Sequence, residues 1–401
     1  MLTLDAVRAA DRRIRDRILR TPLVYSPALS RMFSAEIYLK MENLQKTGSF
    51  KIRGALNTIL ARSDRLPPLG VVAGSAGNHA QGVALAARQV GVPATIVMPR
   101  GASISKQEAT RHYGGRVIIE GRNVSESVAA AQRLAQEGRA FIHPFDDPEI
   151  IAGQGTVALE ILTDLPTVDT LIAPVGGGGF LAGVALAAKS LKPALRIIGV
   201  ETAVCPSATA ALENREVTCV NSQPSIADGI NVRQVGRIPF EIIRTMVDDV
   251  VCVDEDRIAA AILLLMERKK IVAEGAGAAP LAALMSSAVQ LTPGSRTVLM
   301  ISGGNLDSPL LGRIISRGLT QSGRIMRVGV ELRDVPGALA RLLAEIANRN
   351  ANVLHIYHNR SRGDLPINVT VVELELETRG ETHVAEVEQA LRDAGYALRS
   401  C

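Results

Sequence analysis

The sequence predicts an α/β protein with two parts, a parallel sheet covered by helices and, after it, a smaller ferredoxin-like βαββαβ unit. From about residue 37 to residue 307, short apolar or β-branched runs alternate with amphipathic, Ala-rich segments. After a polar, Gly-containing stretch at 316–327, the order changes to strand, helix, strand, strand, helix. A chain of 401 residues is long enough for two or three domains, and we predict domains at 1–320 and 325–401.

Each predicted element is bounded by turn residues. In the first domain we expect strands at 70–75, 94–99, 115–120, 170–175, 196–201 and 297–302, and helices at 78–91, 105–114, 124–138 and 180–191. In the second domain we expect strand 326–332, helix 336–349, strands 352–359 and 367–377, helix 383–395 and a short closing strand at 396–400. The strands of the first domain continue as one sheet in this prediction, with ligands at their carboxyl ends.

The composition is that of a folded protein with no affinity for nucleic acid. Hydrophobic residues make up 47% of the chain and charged residues 21%, which excludes a disordered or fibrous protein. The formal net charge is only +5, and a chain with no Trp and 3% aromatic residues has little to stack on bases. Two long uncharged stretches, 171–188 and 275–295, are broken by Pro and Gly, so we expect no membrane span.

The cysteines and the N-terminal segment indicate a cytoplasmic protein. The four cysteines form no C-x-x-C pair and no cluster with His, which argues against a zinc site or a disulfide framework. They are Cys205, Cys219, Cys252 and Cys401. The first 20 residues mix charged and apolar residues at helical spacing and lack the apolar core of a signal peptide.

Lys51 is the first candidate for chemistry, because it lies in the first turn of a predicted helix. It follows Ser49 and Phe50, and the apolar spacing from Ile52 to Leu60 supports the helix. A lone Lys is most often a solvated surface residue. Between apolar neighbours at the mouth of a sheet it could instead be desolvated, which lowers its pKa and gives an amine that forms Schiff bases.

The segment SAGNHAQG at 75–82 follows a predicted strand and opens a helix. Its backbone N–H groups and the positive helix end could hold an anion such as a carboxylate. Alternatively, Ser75 or Asn78 only caps the helix, and His79 is a hydrogen-bonded structural residue.

Four consecutive glycines at 176–179 stand between an apolar strand and an apolar helix. The backbone N–H groups of such a turn are accessible to a phosphate. A flexible linker is the alternative, but linkers do not join a buried strand directly to a buried helix. No Gly-Lys-Ser/Thr follows, so a nucleoside triphosphate is not expected.

A dinucleotide is harder to dismiss. Gly177, Gly179 and Ala182 match the pattern G-x-G-x-x-A. Glu201 ends the next predicted strand about 20 residues on, where a ribose-binding acid would be expected. An NAD-dependent oxidoreductase therefore stays a rival hypothesis.

A further turn, SGGN at 302–305, follows the predicted strand 297–302. It presents a hydroxyl and open backbone at a carboxyl end, where a ligand would be bound. A plain turn with a capping Asn is an equally good interpretation.

Taken together, these segments resemble the pyridoxal phosphate enzymes of the threonine dehydratase (threonine ammonia-lyase) family, with serine dehydratase and serine racemase as relatives. The resemblance depends on GSFKIRGA, SAGNHAQG, GQGT (153–156), VGGGGF and ISGGN, in that order and spacing, and it covers nearly all of residues 15–320. It implies the cofactor pyridoxal 5'-phosphate and a two-lobed catalytic domain of the tryptophan synthase β-like type (fold type II).

The resemblance also implies roles for individual residues. Lys51 would form the Schiff base, Phe50 would lie near the cofactor ring, Asn78 on its 3-hydroxyl, and Ser302 at its pyridine nitrogen. The phosphate would be held by the backbone of Gly176, Gly177, Gly178, Gly179 and Phe180, the last of which is often Leu in the family. The substrate carboxylate would be held by Ser75, Ala76, Gly77, Asn78 and His79.

The implied residues favour elimination of a β-hydroxyl. A pyridine nitrogen that faces a neutral hydroxyl need not be protonated, so the ring is a weaker electron sink and a long-lived carbanion is disfavoured. The freed amine of Lys51 would take the α-proton, and the phosphate or an ordered water would assist hydroxide departure. We expect conversion of threonine to 2-oxobutanoate and ammonia, with serine as a poorer substrate. A non-enzymatic amino-acid sensor that kept an inactive catalytic fold is a further alternative.

Two properties of relatives are not expected in this chain. The racemases have Ser at the position of Ala76, and because a methyl group carries no proton we expect little racemisation. Relatives hold a structural cation near an acid that corresponds to Glu201. Their second acidic ligand is replaced here by Ser207, so we assign no metal site.

Residues 325–401 resemble an ACT regulatory domain, with its D-x-P-G-x-L turn at Asp334, Pro336, Gly337 and Leu339. Such domains usually pair and bind small amino acids at the paired interface. The resemblance therefore implies a homodimer or homotetramer and an amino-acid effector, for which isoleucine and valine are candidates. A dimerisation module without a ligand is the alternative. Only one unit is present, whereas long biosynthetic relatives often carry two and short catabolic relatives none.

Overall fold

The computed structural model describes residues 2–360 and 366–399. The chain separates into two compact units, Met1–Asp307 and Ser308–Cys401. Each unit buries its own apolar side chains. Within the described residues, every helix is too short or too polar to span a membrane.

The first unit alternates helices with strands. Its helices are α1 Leu4–Ile14, α2 Pro27–Phe33, α3 Lys51–Ala61, α4 Asn78–Val90, α5 Ile104–His112, α6 Val124–Gln136, α7 Pro148–Asp164, α8 Gly179–Leu191, α9 Ser207–Asn214, α10 Arg237–Met246, α11 Glu255–Lys269 and α12 Gly275–Met285. Its strands are β1 Leu23–Tyr25, β2 Glu36–Lys40, β3 Val71–Gly74, β4 Ala94–Met98, β5 Arg116–Ile119, β6 Ala140–Phe141, β7 Thr170–Pro174, β8 Arg196–Thr202, β9 Asp249–Val253 and β10 Arg296–Met300. Single 3₁₀ turns lie at Glu42–Leu44, Ser63–Arg65 and Asp228–Ile230.

These strands form two sheets, so the single continuing sheet predicted from the alternation was wrong. The smaller sheet has the order β5-β4-β3-β6, and all of its strands are parallel. The larger sheet has the order β1-β2-β10-β7-β8-β9, with only the edge strand β1 antiparallel to its neighbour. Periodicity predicts strands but not their partners, which explains the error. The two-lobed fold that the resemblance implied is confirmed.

The central strands are buried along their whole length. Every residue of β3, β4 and β7 is buried, as expected for parallel strands with helices on both faces. β3 ends before Ser75, β7 before the glycine turn, and β10 shortly before Ser302. The motifs of the sequence therefore follow strand carboxyl ends in both sheets.

The GQGT segment lies inside α7 and serves helix packing. A Cβ atom on Gly153 would lie 2.6 Å from the carbonyl oxygen of Arg53, and one on Gly155 would lie 2.6 Å from that of Gly183. The Gln154 Oε1 atom accepts a hydrogen bond from the Gly54 amide at 3.2 Å. Only glycine allows α7 to approach α3 and α8 this closely.

The second unit is a ferredoxin-like fold, as predicted. It comprises α13 Ser308–Gln321, β11 Ile325–Arg333, α14 Ala338–Asn348, β12 Asn352–Asn359, β13 Val369–Glu377, α15 Glu381–Asp393 and β14 Leu398–Arg399. Its antiparallel sheet has the order β12-β13-β11-β14. Much of the polar stretch predicted at 316–327 is the end of α13. Ser400, the last residue of the predicted closing strand, and Cys401 lie outside the described residues.

Candidate active site

One cavity of about 940 Å³ in the first unit brings most of the sequence motifs together. It is lined by residues of both sheets and of the helices that follow their strands. Among the predicted residues, the lining includes Phe50, Lys51, Ser75, Ala76, Gly77, Asn78, His79, Gly176, Gly177, Gly178, Gly179, Phe180 and Ser302. Segments distant in sequence therefore meet at one place.

Lys51 is the first residue of α3, and its side chain enters this cavity. Its Nζ atom donates a hydrogen bond to the Pro144 carbonyl oxygen at 3.1 Å and lies 5.2 Å from the centre of the Phe50 ring. Burial lowers the pKa of Lys51 to about 8, although the nearby carboxyl group of Glu274 acts in the opposite direction. Near neutral pH, a larger fraction of molecules therefore carries a neutral Lys51 amine than is found for an exposed lysine.

Phe50 and Phe180 pack against each other at the edge of the cavity. Their rings are stacked, with centroids 4.1 Å apart and planes inclined by 25°. The family resemblance gave the Phe180 side chain no role, since only its backbone amide was expected to matter. The structure gives it one, because the ring supports Phe50 from the start of α8.

The segment after β3 forms the start of α4 without a side-chain cap. Gly77 is the capping residue, and neither Ser75 nor Asn78 caps the helix. The Ser75 hydroxyl instead accepts a hydrogen bond from the Gly77 amide at 3.2 Å. The N-terminus of α4 thus faces the cavity with its positive end, as an anion site requires.

The ring of His79 is hydrogen-bonded to the backbone. Its side chain is buried, and its Nε2 atom lies 3.0 Å from the Ile142 carbonyl oxygen. Burial, helped by the charge of Lys51, lowers the pKa of His79 to about 3. The ring is therefore neutral near neutral pH and donates from Nε2 to this carbonyl.

Asn78 is held at both ends of its side-chain amide. Its Nδ2 atom donates to Glu274 Oε1 at 2.7 Å, and its Oδ1 atom accepts from Asn305 Nδ2 at 2.6 Å. Glu274 precedes α12 but does not cap it, so its carboxyl group turns into the cavity. Burial raises the pKa of Glu274 to about 7, with Asp228 adding to the shift.

Glu274 was not predicted from the sequence. An acid among small residues directly before an apolar helix, in AEGAGA at 273–278, is the signal that could have found it. An acid at such a position normally caps the helix, which makes the motif look structural.

The glycine turn between β7 and α8 needs glycine for its shape and its surroundings. Gly178 has a φ of 86°, and a Cβ atom on Gly177 would lie 2.2 Å from Cδ1 of Phe145. A Cβ atom on Gly179 would lie 2.7 Å from the Phe145 carbonyl oxygen. The turn therefore packs tightly on one side and presents backbone to the cavity at the positive end of α8.

Ser302 follows β10 and is 1% exposed. Its Oγ atom is buried and has no hydrogen-bond partner among the described residues. Its carbonyl oxygen accepts from the Phe50 amide at 3.1 Å, which ties the segment to the start of α3. A buried hydroxyl without a partner costs free energy, and because Ser302 lines the cavity, a ligand bound there can supply the missing partner.

A short turn at 143–146 lines the same cavity and was not recognised in the sequence. The His143 Nδ1 atom accepts hydrogen bonds from the amides of Phe145 at 3.2 Å and Asp146 at 2.7 Å. The Asp146 carboxylate in turn accepts from two amides at the start of α10. The sequence HPFD, which begins two residues after the end of β6, is the signal, but its role depends on contacts distant in sequence.

Glu201 lies at the end of β8 and does not line the cavity. Its carboxylate accepts from the Ala208 amide at 2.6 Å and from the amide and hydroxyl of Thr209, both at 2.8 Å. It holds the start of α9 and offers little to a ribose, which weakens the dinucleotide hypothesis. In the described parts of the chain, no group of three or more His, Cys, Asp or Glu residues is arranged to hold a metal.

The predicted regulatory residues lie in the second unit where β11 leads into α14, three of them in the turn and Leu339 in the first turn of the helix. Gly337 has a φ of 82° and precedes the first residue of α14. Asp334 and Pro336 are exposed, and the Asp334 carboxylate lies 3.3 Å from Nε of Arg360. Leu339 packs against the core of the unit.

Comparison with known proteins agrees with this geometry. The chain matches the family described as pyridoxal-phosphate dependent enzyme over residues 14–303 and the ACT domain over 326–395. It is 49% identical over 400 residues to an L-threonine ammonia-lyase of Thermotoga maritima, covering 100% of this chain and 99% of that protein. It is 48% identical over 399 residues to an L-threonine ammonia-lyase of Geobacter sulfurreducens, covering 99% of each. The crystal structure of a threonine deaminase from T.th. matches with a TM-score of 0.72 at 41% identity, covering 76% of this chain and 99% of that one.

The residues of the cavity fit pyridoxal phosphate. The amine of Lys51 can form a Schiff base, and the unpartnered hydroxyl of Ser302 can meet a ring nitrogen. The glycine turn at the start of α8 offers backbone amides to a phosphate, and the Phe50 ring is fixed by its neighbour.

Proposed function

The chain belongs to the family of pyridoxal-phosphate dependent enzymes, and we propose that it is an L-threonine ammonia-lyase that converts threonine to 2-oxobutanoate and ammonia. Serine is the secondary substrate in this proposal. The family, the lyase class and the cofactor follow from relatives that match over the whole chain.

One observation supports the proposal most directly. The amine of Lys51, with its lowered pKa, shares a single cavity with an anion-binding helix start, a glycine turn and an unpartnered hydroxyl. A nucleophilic amine, two anion sites and one neutral hydrogen-bonding group are what an amino acid and a phosphate-bearing aldehyde require.

We assign the roles of the cavity residues from their positions. When bound, pyridoxal 5'-phosphate supplies the electron withdrawal that makes the α-proton of an amino acid acidic. The start of α4, Ser75 to His79, holds the substrate carboxylate, and the turn Gly176 to Phe180 holds the phosphate. Lys51 in its neutral form takes the α-proton. Ser302 offers a neutral hydroxyl in place of a carboxylate, which favours release of the β-hydroxyl over other outcomes.

Two other functions were open from the sequence. An oxidoreductase needs a free ribose-binding acid, and Glu201 already accepts three hydrogen bonds. A sensor that had lost its activity would have no reason to keep a desolvated amine or a buried hydroxyl without a partner. Both hypotheses are therefore less well supported than a lyase.

The experiment is an absorbance and product assay on purified protein. We expect a Schiff-base band, ammonia and 2-oxobutanoate from threonine, and loss of band and product in Lys51→Ala. Lys46→Ala is the matched control, since Lys46 lies nearby but bonds a backbone oxygen on the surface. Nicotinamide absorbance, or no chromophore after pyridoxal phosphate is added, would contradict the proposal.

The C-terminal ACT domain supports regulation by an amino acid. We propose that the effector binds near Asp334, Pro336, Gly337 and Leu339 in paired domains of a homodimer or homotetramer. A differential affinity for two states worth about 1–3 kcal/mol would change activity by roughly 5- to 150-fold. Isoleucine, valine, threonine and serine would be titrated against the full chain and the variant Gly337→Val. Identical responses of the two proteins would indicate an assembly module.

We also propose the domain limits and the compartment. The catalytic domain would span 1–320 and the regulatory domain 325–401. The cytoplasm is the proposed compartment, since the cysteines form no disulfide or metal motif in the sequence.

A further inference from the structure

We propose that His143 is a positioning residue that, through the turn 143–146, holds the Pro144 carbonyl where it orients the free amine of Lys51 for proton abstraction. The inference rests on the proposed function in one respect, namely that Lys51 is the base. It assigns a role to a cavity residue that does not itself contact the substrate.

The imidazole ring of His143 organises the turn from inside. Its Nδ1 atom accepts hydrogen bonds from the amides of Phe145 and Asp146, at 3.2 and 2.7 Å. The ring is also fixed by edge contacts with Phe141 and Phe145, at centroid distances of 5.9 and 4.8 Å. Both amides follow the Pro144 carbonyl and His143 itself precedes Pro144, so this one side chain links the backbone on the two sides of the carbonyl.

The far end of the turn is anchored independently. The Asp146 carboxylate accepts from the amides of Arg237 at 3.1 Å and Ile238 at 2.9 Å, at the start of α10. The Phe145 ring lies against Gly177, where no Cβ atom could fit. Because the turn is held at both ends, the orientation of the Pro144 carbonyl is fixed. The Lys51 Nζ atom donates a hydrogen bond to its oxygen at 3.1 Å.

This contact matters for a neutral amine. Such an amine has two N–H donors and one lone pair, so donation of one N–H to a fixed oxygen sets the direction of the lone pair. Lys51 has a free amine only while the substrate amino group, and not Lys51, is bonded to the cofactor. Fixing a long side chain in advance avoids an entropy cost at that moment.

The arrangement is sensitive to protons. Nδ1 accepts two bonds only while the ring is neutral, because a protonated ring would present a donor to two donors. Burial lowers the pKa of His143 and the charge of Lys51 acts in the same direction, while Asp146 and Asp147 oppose them. His79, whose pKa is also lowered by burial, is a further titratable neighbour. The turn is intact near neutral pH and is lost as the pH falls through the lowered pKa of His143.

Two variants separate this role from a packing role. His143→Leu removes the acceptor, whereas His143→Asn places an amide oxygen near the position of Nδ1 and does not titrate. We expect kcat for threonine to fall by about 10- to 100-fold in His143→Leu with little change in KM, and to recover largely in His143→Asn. His112→Leu, which removes an exposed histidine on α5, is the control for loss of a ring.

The pH profile and cofactor loading supply readouts that packing alone would not change. The acid limb of kcat should extend to lower pH in His143→Asn than in the wild type. In protein freed of cofactor, His143→Leu should form the Schiff-base band more slowly with added pyridoxal phosphate, and His143→Asn at nearly the wild-type rate.

Equal losses in both variants, or wild-type kcat and loading rate in His143→Leu, would overturn the inference. If His143→Leu does not fold, the acid limbs of wild type and His143→Asn decide alone, and coincident limbs refute the proposal. Failure of the proposed function looks different, since no chromophore would then form in the wild-type protein.

Discussion

Arg53, two residues after Lys51, forms a bidentate and completely buried ion pair with Glu42. Nε of Arg53 lies 2.8 Å from Oε2 of Glu42, and Nη2 lies 2.7 Å from Oε1. Arg53 also donates to Glu160, whose other bond is to the buried Lys40. The network fixes the first turn of α3, and with it the backbone of Lys51, to β2 and α7.

The first prediction is that Glu42→Gln lowers the free energy of unfolding in urea by about 3–5 kcal/mol, because Glu160 alone then faces the buried charges of both Arg53 and Lys40. Burial acts to raise the pKa of Glu42, but the Arg53 guanidinium outweighs it and the pKa lies below the usual value of 4.5. A lowered carboxyl pKa contributes stability above pH 4.5 that is lost as the pH falls. The difference in unfolding free energy between the wild type and Glu42→Gln should therefore shrink as the pH falls below 4.5.

The exposed pair of Arg244 and Glu241 is the control. Glu241→Gln should change the free energy of unfolding by no more than about 1 kcal/mol. Similar losses of unfolding free energy in the two variants would mean that the buried network stabilises the fold no more than an exposed ion pair does.

The second prediction concerns Glu274, whose pKa is raised by burial to about 7. A carboxyl group with a raised pKa holds its proton longer in the folded state, so folding loses stability as the pH rises from 4.5 to about 7. Glu274→Gln removes this loss, which amounts to about 1.4 kcal/mol for each pH unit of the shift. Urea unfolding of the cofactor-free wild type and of Glu274→Gln at pH 5 and pH 8 measures this loss. The same difference in unfolding free energy between the two proteins at both pH values would contradict the prediction.

The third prediction concerns Ser302→Asp. If Ser302 faces the pyridine nitrogen, a carboxylate there stabilises a protonated ring, strengthens the electron sink and diverts turnover from elimination toward transamination. Product analysis and the absorbance spectrum test this prediction. Ser302→Ala is the control, since it removes a hydroxyl that has no partner among the described residues. Wild-type elimination and an unchanged spectrum in Ser302→Asp would place Ser302 away from the nitrogen.

The fourth prediction is that the wild-type protein forms little D-serine from L-serine and that Ala76→Ser forms more. Ala76 lines the cavity two residues before the first residue of α4, and its methyl group cannot transfer a proton. A hydroxyl there could act as the second acid–base group that racemisation needs. Chiral chromatography of the products, with Ala76→Gly as control, measures the change. Substantial racemisation by the wild type would show that another residue supplies the proton.

The sequence alone was sufficient to identify those candidate site residues that lie next to a predicted strand or helix. Lys51, the glycine turn and Ser302 each follow a recognisable strand or open a recognisable helix, and the general rule for strand carboxyl ends brings them together. Glu274 contacts Asn78, and Pro144, the residue after His143, contacts Lys51; both pairs are far apart in the chain, and no spacing in the sequence encodes these contacts. The split into two sheets was missed for the same reason, because pairing between strands is a long-range property.

The fifth prediction concerns metal ions. Glu201 is buried and already accepts three hydrogen bonds from the first residues of α9. The family resemblance implies in addition that Ser207 replaces a second acidic ligand. We therefore expect the same activity in EDTA as with added Mg²⁺. Glu201→Ala should cost about 1–3 kcal/mol of unfolding free energy, because the Ala208 and Thr209 amides lose their acceptor. Glu201→Gln, which keeps one oxygen, should lose less. Stimulation by a divalent cation that disappears in Glu201→Ala would show that the carboxylate serves a metal and not the helix.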